Sequence, residues 1–241
     1  MSTFKGKVVV VTGGSSGIGY ATAKLFAKDG ATVFITGRRD DVLKKAATEL
    51  GDNVIAVRAD CTKISDLKNL FETVRKYGKI DVLFANAGIA ENTRIGEITE
   101  EVFDRLFNIN VKGIVFTVQE ALPLLKNGSS VILTSSVVGR KGFSDSSIYS
   151  ATKAAIRSLA RTWTTDLKDR GIRVNAVSPG PIETPALHNV LVGVPPDALG
   201  ATLPVGHIGE PADIASAVYF LATSSFIAGA DIQVDGGGGQ V

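Results

Sequence analysis

The stretch KVVVVTGGSSGIG, Lys7–Gly19, decides how this chain folds. Four valines in a row show no alternation of apolar and polar residues, which is the pattern of a short strand covered on both faces, as in a parallel sheet between helix layers. A helix follows the glycine-rich break. Ile18, Ala21, Leu25 and Phe26 recur at helical spacing over Ile18–Lys28, Gly30 stops them, and a second apolar run, TVFIT, fills Thr32–Thr36. Strand, helix and strand fit within about 30 residues, the size of one βαβ unit. Gly13, Gly17 and Gly19, spaced G-x-x-x-G-x-G, let the backbone turn tightly and approach a pyrophosphate, whose charge suits the free N–H groups at the helix start. Taken alone, the same turn also fits an ordinary βα connection, and it lacks the Gly-Lys-Ser/Thr of a P-loop.

Outward from this unit the alternation continues. Helical patterns cover Asp40–Leu50, Ile64–Tyr77, Glu100–Lys126, Ile148–Lys168 and Pro211–Ala222; strand patterns cover Asn53–Val57, Asp81–Ala85, Ser130–Ser135, Arg173–Val177 and Asp231–Val234. Seven strands alternating with helices predict an α/β protein with a mostly parallel seven-stranded sheet and helices on both faces, because parallel neighbours require crossovers. No composition break divides the chain, so residues 1–241 read as a single domain. Between Pro179 and Glu210, prolines and glycines break every period; a connection of that length predicts a substrate lid over about 181–210. The closing glycines Gly236–Gly239 read as a flexible end without a ligand.

Composition removes several function classes. The 241 residues are 44% hydrophobic and 21% charged, with 26 basic against 24 acidic side chains, interspersed rather than clustered. A basic footprint for nucleic acid is missing. Cys61 has no internal partner, and with only His188 and His207 beside it no zinc-ligand spacing exists. With no secretory leader and no run of about 18 apolar residues, the expectation is a cytoplasmic protein without a membrane partner.

Tyr149 and Lys153 lie four apart on a helical pattern, so their side chains leave one face. An ammonium about 4 Å from a phenol contributes about 4 kcal/mol at an effective dielectric of about 20. That would draw the phenol down toward a range useful for proton transfer. Such pairs also occur as plain helix decoration.

TGGSSGIG, Asn86-Ala87-Gly88 and Tyr149-x-x-x-Lys153 occur in this order, and the sequence resembles the short-chain dehydrogenase/reductase family over nearly its whole length. It is similar to one-domain members such as ketoreductases and carbonyl reductases. The resemblance implies a Rossmann-type sheet and an NAD(P)-dependent oxidoreductase acting on CH–OH and C=O groups. It implies Tyr149 as acid/base, Lys153 as its tuning cation, Ser136 on the substrate oxygen, and Asn110 as holder of a water in a proton relay. Ser135 is the chemical alternative to Ser136, and Asn108 lies near Asn110; spacing and motif select the pair named.

For the cofactor, the resemblance implies contacts from Gly13, Ser15, Ser16, Gly17, Ile18, Gly19, Asp60, Cys61, Asn86, Ala87, Gly88, Pro179, Gly180, Ile182 and Thr184, beside Tyr149 and Lys153. Where an NAD enzyme carries an acid after the second strand, this chain has Gly37 followed by Arg38 and Arg39. Guanidinium groups suit a 2′-phosphate, so NADP(H) is preferred and NAD remains possible. Asp40 and Asp41 are close enough in sequence to offset that charge. An apolar substrate pocket would combine Val138, Phe143, Leu187, His188 and Leu191 with Ser136 and Tyr149. The predicted reaction is NADPH-dependent reduction of a ketone or aldehyde; the alternatives are an NAD-dependent alcohol or sugar dehydrogenase and a non-catalytic dinucleotide sensor. A homotetramer is implied by the resemblance alone.

Overall fold

In the computed structural model, which describes residues 3–191 and 193–240, one sheet runs in the order β3-β2-β1-β4-β5-β6-β7, every pair parallel. The strands are β1 Val8–Val11, β2 Thr32–Gly37, β3 Val54–Arg58, β4 Ile80–Ala85, β5 Leu125–Thr134, β6 Arg173–Pro179 and β7 Asp231–Val234. The helices are α1 Gly17–Lys28, α2 Asp40–Leu50, α3 Ile64–Arg75, α4 Glu100–Phe107, α5 Gly113–Ala121, α6 Ser147–Asp166, α7 Pro185–Val190, α8 Pro196–Gly200 and α9 Pro211–Thr223. Strand order reverses between β1 and β4, which opens a crevice at the carboxyl ends of the central strands.

The valines of β1 divide by parity. Val9 and Val11 join Phe26, Leu43, Ile214 and Val218 beneath α1, α2 and α9. Val8 and Val10 join Leu70, Ile114 and Ile156 beneath α3, α5 and α6. The unbroken apolar run thus serves two cores, one on each face of the sheet.

Three expectations need correction. The helix read over Glu100–Lys126 runs on from α4 into α5 through a wide π turn at Asn108–Lys112, and it ends early, at Ala121, just before Pro123, which has no N–H to continue the ladder. β5 begins at Leu125, five residues earlier than read, with an irregular step against β4 between Ile80 and Val82. The closing glycines are not a loose end either. Asp235 accepts from the N–H groups of Gly237 and Gly239 at 3.0 and 2.9 Å, and Val205 donates to the carbonyl of Gly236.

Candidate active site

The ends of β1, β4 and β5 are tied together by one amide. Asn86 donates its side-chain N–H to the carbonyls of Thr12 (3.1 Å) and Gly13 (3.3 Å), while its Oδ1 accepts from the Thr134 hydroxyl at 3.1 Å. The Thr12 hydroxyl in turn accepts from the backbone N–H of Asn86 and Ala87. The Thr134 carbonyl takes a hydrogen bond from the buried Lys153 ammonium at 2.9 Å. Thr12 and Thr134 hold the crevice floor yet were not singled out in the sequence; their only signal was their place at strand ends.

Tyr149 stands one turn before Lys153 on α6, and Lys153 Nζ lies 5.7 Å from the centre of its ring. Ser136 stands near enough to the phenol to favour its ionised form, so three of the four predicted catalytic side chains do converge. Ser136 sits two residues past β5 and caps a single 3₁₀ turn, Val137–Gly139, accepting from Val138 N–H at 3.4 Å. Burial pushes the phenol up to about 12, against a smaller opposing effect of Ser136, and lowers the ammonium to about 8. The expected acidification by Lys153 is therefore not what the chain alone provides. Lost hydration disfavours both charged forms, and the ammonium is bonded to Thr134.

Asn110, the fourth predicted residue, is fully buried in the π turn. Its Oδ1 accepts from Ile89 N–H at 2.9 Å, and its Nδ2 donates to the Ile89 carbonyl at 2.9 Å and to the Thr152 hydroxyl at 3.2 Å. The side-chain amide is thus occupied by protein partners.

Fit to a dinucleotide is tested by the turn between β1 and α1. A Cβ on Gly19 would stand 2.2 Å from the Gly13 carbonyl oxygen, and Gly17 has φ of +52°, so neither position accepts a side chain without rearrangement. The N–H groups of Gly17, Ile18 and Gly19 meet no acceptor among the described residues, and Ser16 gives no side-chain cap. Ser15 Oγ lies beside Gly37, and Thr184, from the segment after β6, closes over Gly17. These residues could hold a pyrophosphate.

At the neighbouring corner Arg38 and Arg39 are exposed, as read from sequence. A third guanidinium, missed there, belongs to Arg58: β3 runs one residue further than its apolar pattern, and Arg58 Nε donates to the Arg38 carbonyl at 3.1 Å. Asp40 pairs with Lys44 at 2.7 Å, and none of the three arginines forms an ion pair among the described residues. Asp60 is held below its usual range: burial opposes this, but hydrogen bonds from Thr62 N–H and hydroxyl to Oδ1, with Arg38 and Lys63 nearby, outweigh it. Cys61 packs against Gly113, and burial pushes its thiol up to about 11, which leaves it unreactive.

The substrate group is only partly assembled. A cavity of about 210 Å³ is lined by Val137, Phe143, Pro181, Leu199 and Leu203, with Lys141 and Asp235. Of the predicted pocket residues its lining includes Phe143, and not Ser136, Tyr149, Val138, Leu187, His188 or Leu191. His188 is exposed and turned to Glu183, and Leu187 and Leu191 fall on and after the short helix α7, whose contacts the sequence did not reveal. A larger cleft of about 450 Å³, lined by Glu183, Asp197, His207 and Glu210, touches none of Ser136, Tyr149 and Lys153. Among the described residues no cluster of His, Cys, Asp or Glu could hold a metal ion, and no helix is long and apolar enough to cross a membrane.

A family model described as enoyl-(acyl carrier protein) reductase matches residues 13–238. An oxidoreductase of Sarocladium schorii, asL5, is 42% identical, covering 98% of this chain and 97% of its own. The NADP-dependent (R)-specific alcohol dehydrogenase of Lentilactobacillus kefiri is 38% identical, covering 97% and 96%. The chain belongs to the short-chain dehydrogenase/reductase family. Within that family, a solved 3-ketoacyl-(acyl-carrier-protein) reductase from Brucella melitensis, complexed with NADH, superposes with a TM-score of 0.91 at 33% identity over 97% of this chain and 98% of its own. As a short-chain dehydrogenase/reductase, the protein is an oxidoreductase of CH–OH and C=O groups.

Proposed function

We propose that the protein is an NADPH-dependent carbonyl reductase, reversible as an alcohol dehydrogenase, taking small apolar ketones or aldehydes. The observation that carries this reading is the meeting of Ser136, Tyr149 and Lys153 at the carboxyl end of β5, beside the glycine turn. When bound, the cofactor supplies a hydride at nicotinamide C4. Tyr149 gives or takes the proton on the substrate oxygen, its hydroxyl neutral at physiological pH because burial keeps it so. Ser136 orients that oxygen as a second hydrogen-bond partner. Lys153, held by the Thr134 carbonyl, places a positive charge beside the phenol and would be the residue to hold the ribose of a bound cofactor. Asn110 fixes the π turn against Ile89 and so sets the wall behind Lys153.

The NADPH preference is supported by Arg38, Arg39 and Arg58, three cations at one corner that form no ion pair among the described residues. The relative from L. kefiri is named NADP-dependent, whereas the B. melitensis reductase is a complex with NADH. Residues 181–210 form the substrate lid in this reading, since Thr184 caps α7 while standing over Gly17. A homotetramer is part of the same proposal. It is supported by the exposed Phe103, stacked on Phe107 with ring centres 4.6 Å apart on α4, and light scattering of a monomer would dismiss it.

The direct test follows absorbance of reduced nicotinamide with NADPH and NADH against aliphatic, aromatic and cyclic ketones. Turnover faster with NADPH is expected. Equal or faster turnover with NADH would overturn the cofactor assignment, and tight NADPH binding with no turnover of any ketone would overturn the reaction.

A further inference from the structure

Between Tyr149 and Lys153 lies Thr152, wholly buried and pointing away from the crevice toward the π turn. Its hydroxyl carries one proton, and that proton is committed: Oγ1 donates to the Tyr149 carbonyl at 2.7 Å. Toward Asn110 the same oxygen acts only as an acceptor, taking Nδ2–H at 3.2 Å. The other Nδ2 proton goes to the Ile89 carbonyl and Oδ1 receives Ile89 N–H, so a single arrangement satisfies both the Asn110 amide and the Thr152 hydroxyl. No other hydrogen bond among the described residues joins the side chain of Asn110 to α6.

We propose that Thr152 is a positioning residue, whose hydroxyl fastens the first turn of α6 to the π turn and thereby sets where the Tyr149 phenol stands relative to Lys153 and Ser136. It touches neither substrate nor cofactor. A methyl group in place of the hydroxyl leaves one Asn110 N–H without an acceptor in a dry environment, and the backbone around Tyr149 becomes free to shift. Reactions between oriented groups are sensitive to such shifts, a displacement of about 1 Å costing up to about 100-fold.

The inference rests on Tyr149 as the acid of the proposed reaction, so two measurements are paired. Thr152→Val should lower turnover of a ketone about tenfold while KM for the reduced nicotinamide cofactor stays within about twofold; Thr152→Ser, which keeps the hydroxyl, should restore it. Independently of turnover, tyrosine labelled with ¹³C at Cζ reports the phenol titration in the protein without substrate, the Tyr149 line being assigned by its loss in Tyr149→Phe. The midpoint should move down in Thr152→Val, as water reaches a looser first turn, and return in Thr152→Ser. A Val variant with unchanged turnover and an unchanged midpoint, or Val and Ser variants equally impaired, overturns the proposal. If Thr152→Val does not fold, Thr152→Ala against Thr152→Ser is read by the same criteria. An unchanged absence of turnover in every form, with the midpoint still shifting, would reject the reaction and keep the positioning.

Discussion

Below the crevice lie two hydrogen-bonded groups, Thr12, Asn86, Thr134 and Lys153 in one and Asn110 with Thr152 in the other, all buried except the half-buried Asn86, and each bonded to a neighbour from a distant part of the chain. Above it, the described residues of 181–210 hold two helices of 6 and 5 residues, and the imidazole of His188 is spent on the side chain of Glu183, only five residues earlier. Floor bonds span up to 75 residues of sequence, so altering one partner disturbs several elements. Most hydrogen bonds in the upper segment are local, and a change there stays local. In the proposed reading the floor fixes the chemistry and the roof sets the range of accepted substrates.

The sharpest way to break this contrast is Tyr149→Phe. Turnover should fall at least about 100-fold with cofactor affinity retained, as for a lost general acid, measured by steady-state kinetics and by NADPH fluorescence titration. Near-normal turnover would remove the floor from the chemistry.

Second comes Lys153→Met, read through stability. The folded lysine pKa of about 8 lies below its ordinary value of 10.5, so burial penalises the charged form. Below about pH 8 both folded and unfolded chains hold the proton and the penalty is complete. Between the two values the unfolded chain binds more protons, so wild-type stability relative to the Met variant must rise with pH, by about 3 kcal/mol across that window. Urea unfolding at pH 7.5 and pH 10.5 checks the sign; a flat difference would mean the ammonium is not desolvated.

A smaller effect is expected at the corner beside the floor. Arg38→Gln and Arg58→Gln should each raise KM for NADPH about tenfold, the value of one charge-assisted hydrogen bond of about 1.5 kcal/mol. KM for NADH should change less than about twofold. Parallel losses with both cofactors would assign these arginines to general attraction rather than to the 2′-phosphate.

The smallest belongs to the roof. His188→Ala should leave turnover of a small ketone within about twofold, since only an exposed local pair is lost. A loss above tenfold would place His188 in the chemistry and erase the contrast drawn here.

What the sequence made legible follows the same division. The valines of Val8–Val11, the glycines that follow and the four-residue step from Tyr149 to Lys153 are local patterns that a short window of sequence displays, and the structure bears out the sheet that the valines and the alternation after them predict. The π turn was hidden because its cause is distant: Asn110 is held by Ile89, and no spacing within Glu100–Lys126 reports that. The early start of β5 was hidden because Lys126–Ser129 is polar and turn-like, and only pairing beside Ile80 makes its beginning a strand. Arg58 was missed since a charged residue closing an apolar run reads as loop. The pocket was read least well, because Pro179–Glu210 has no period from which a face could be assigned.

The Asn86 amide also bears on how activity is acquired. Its three anchors come from strand ends 48 to 74 residues away, contacts that close long loops and therefore form late along a folding route. A chain in which β5 has not yet docked has nowhere to rest Lys153, so hydride transfer should switch on with the final closure of the central sheet rather than grow in gradually with helix content.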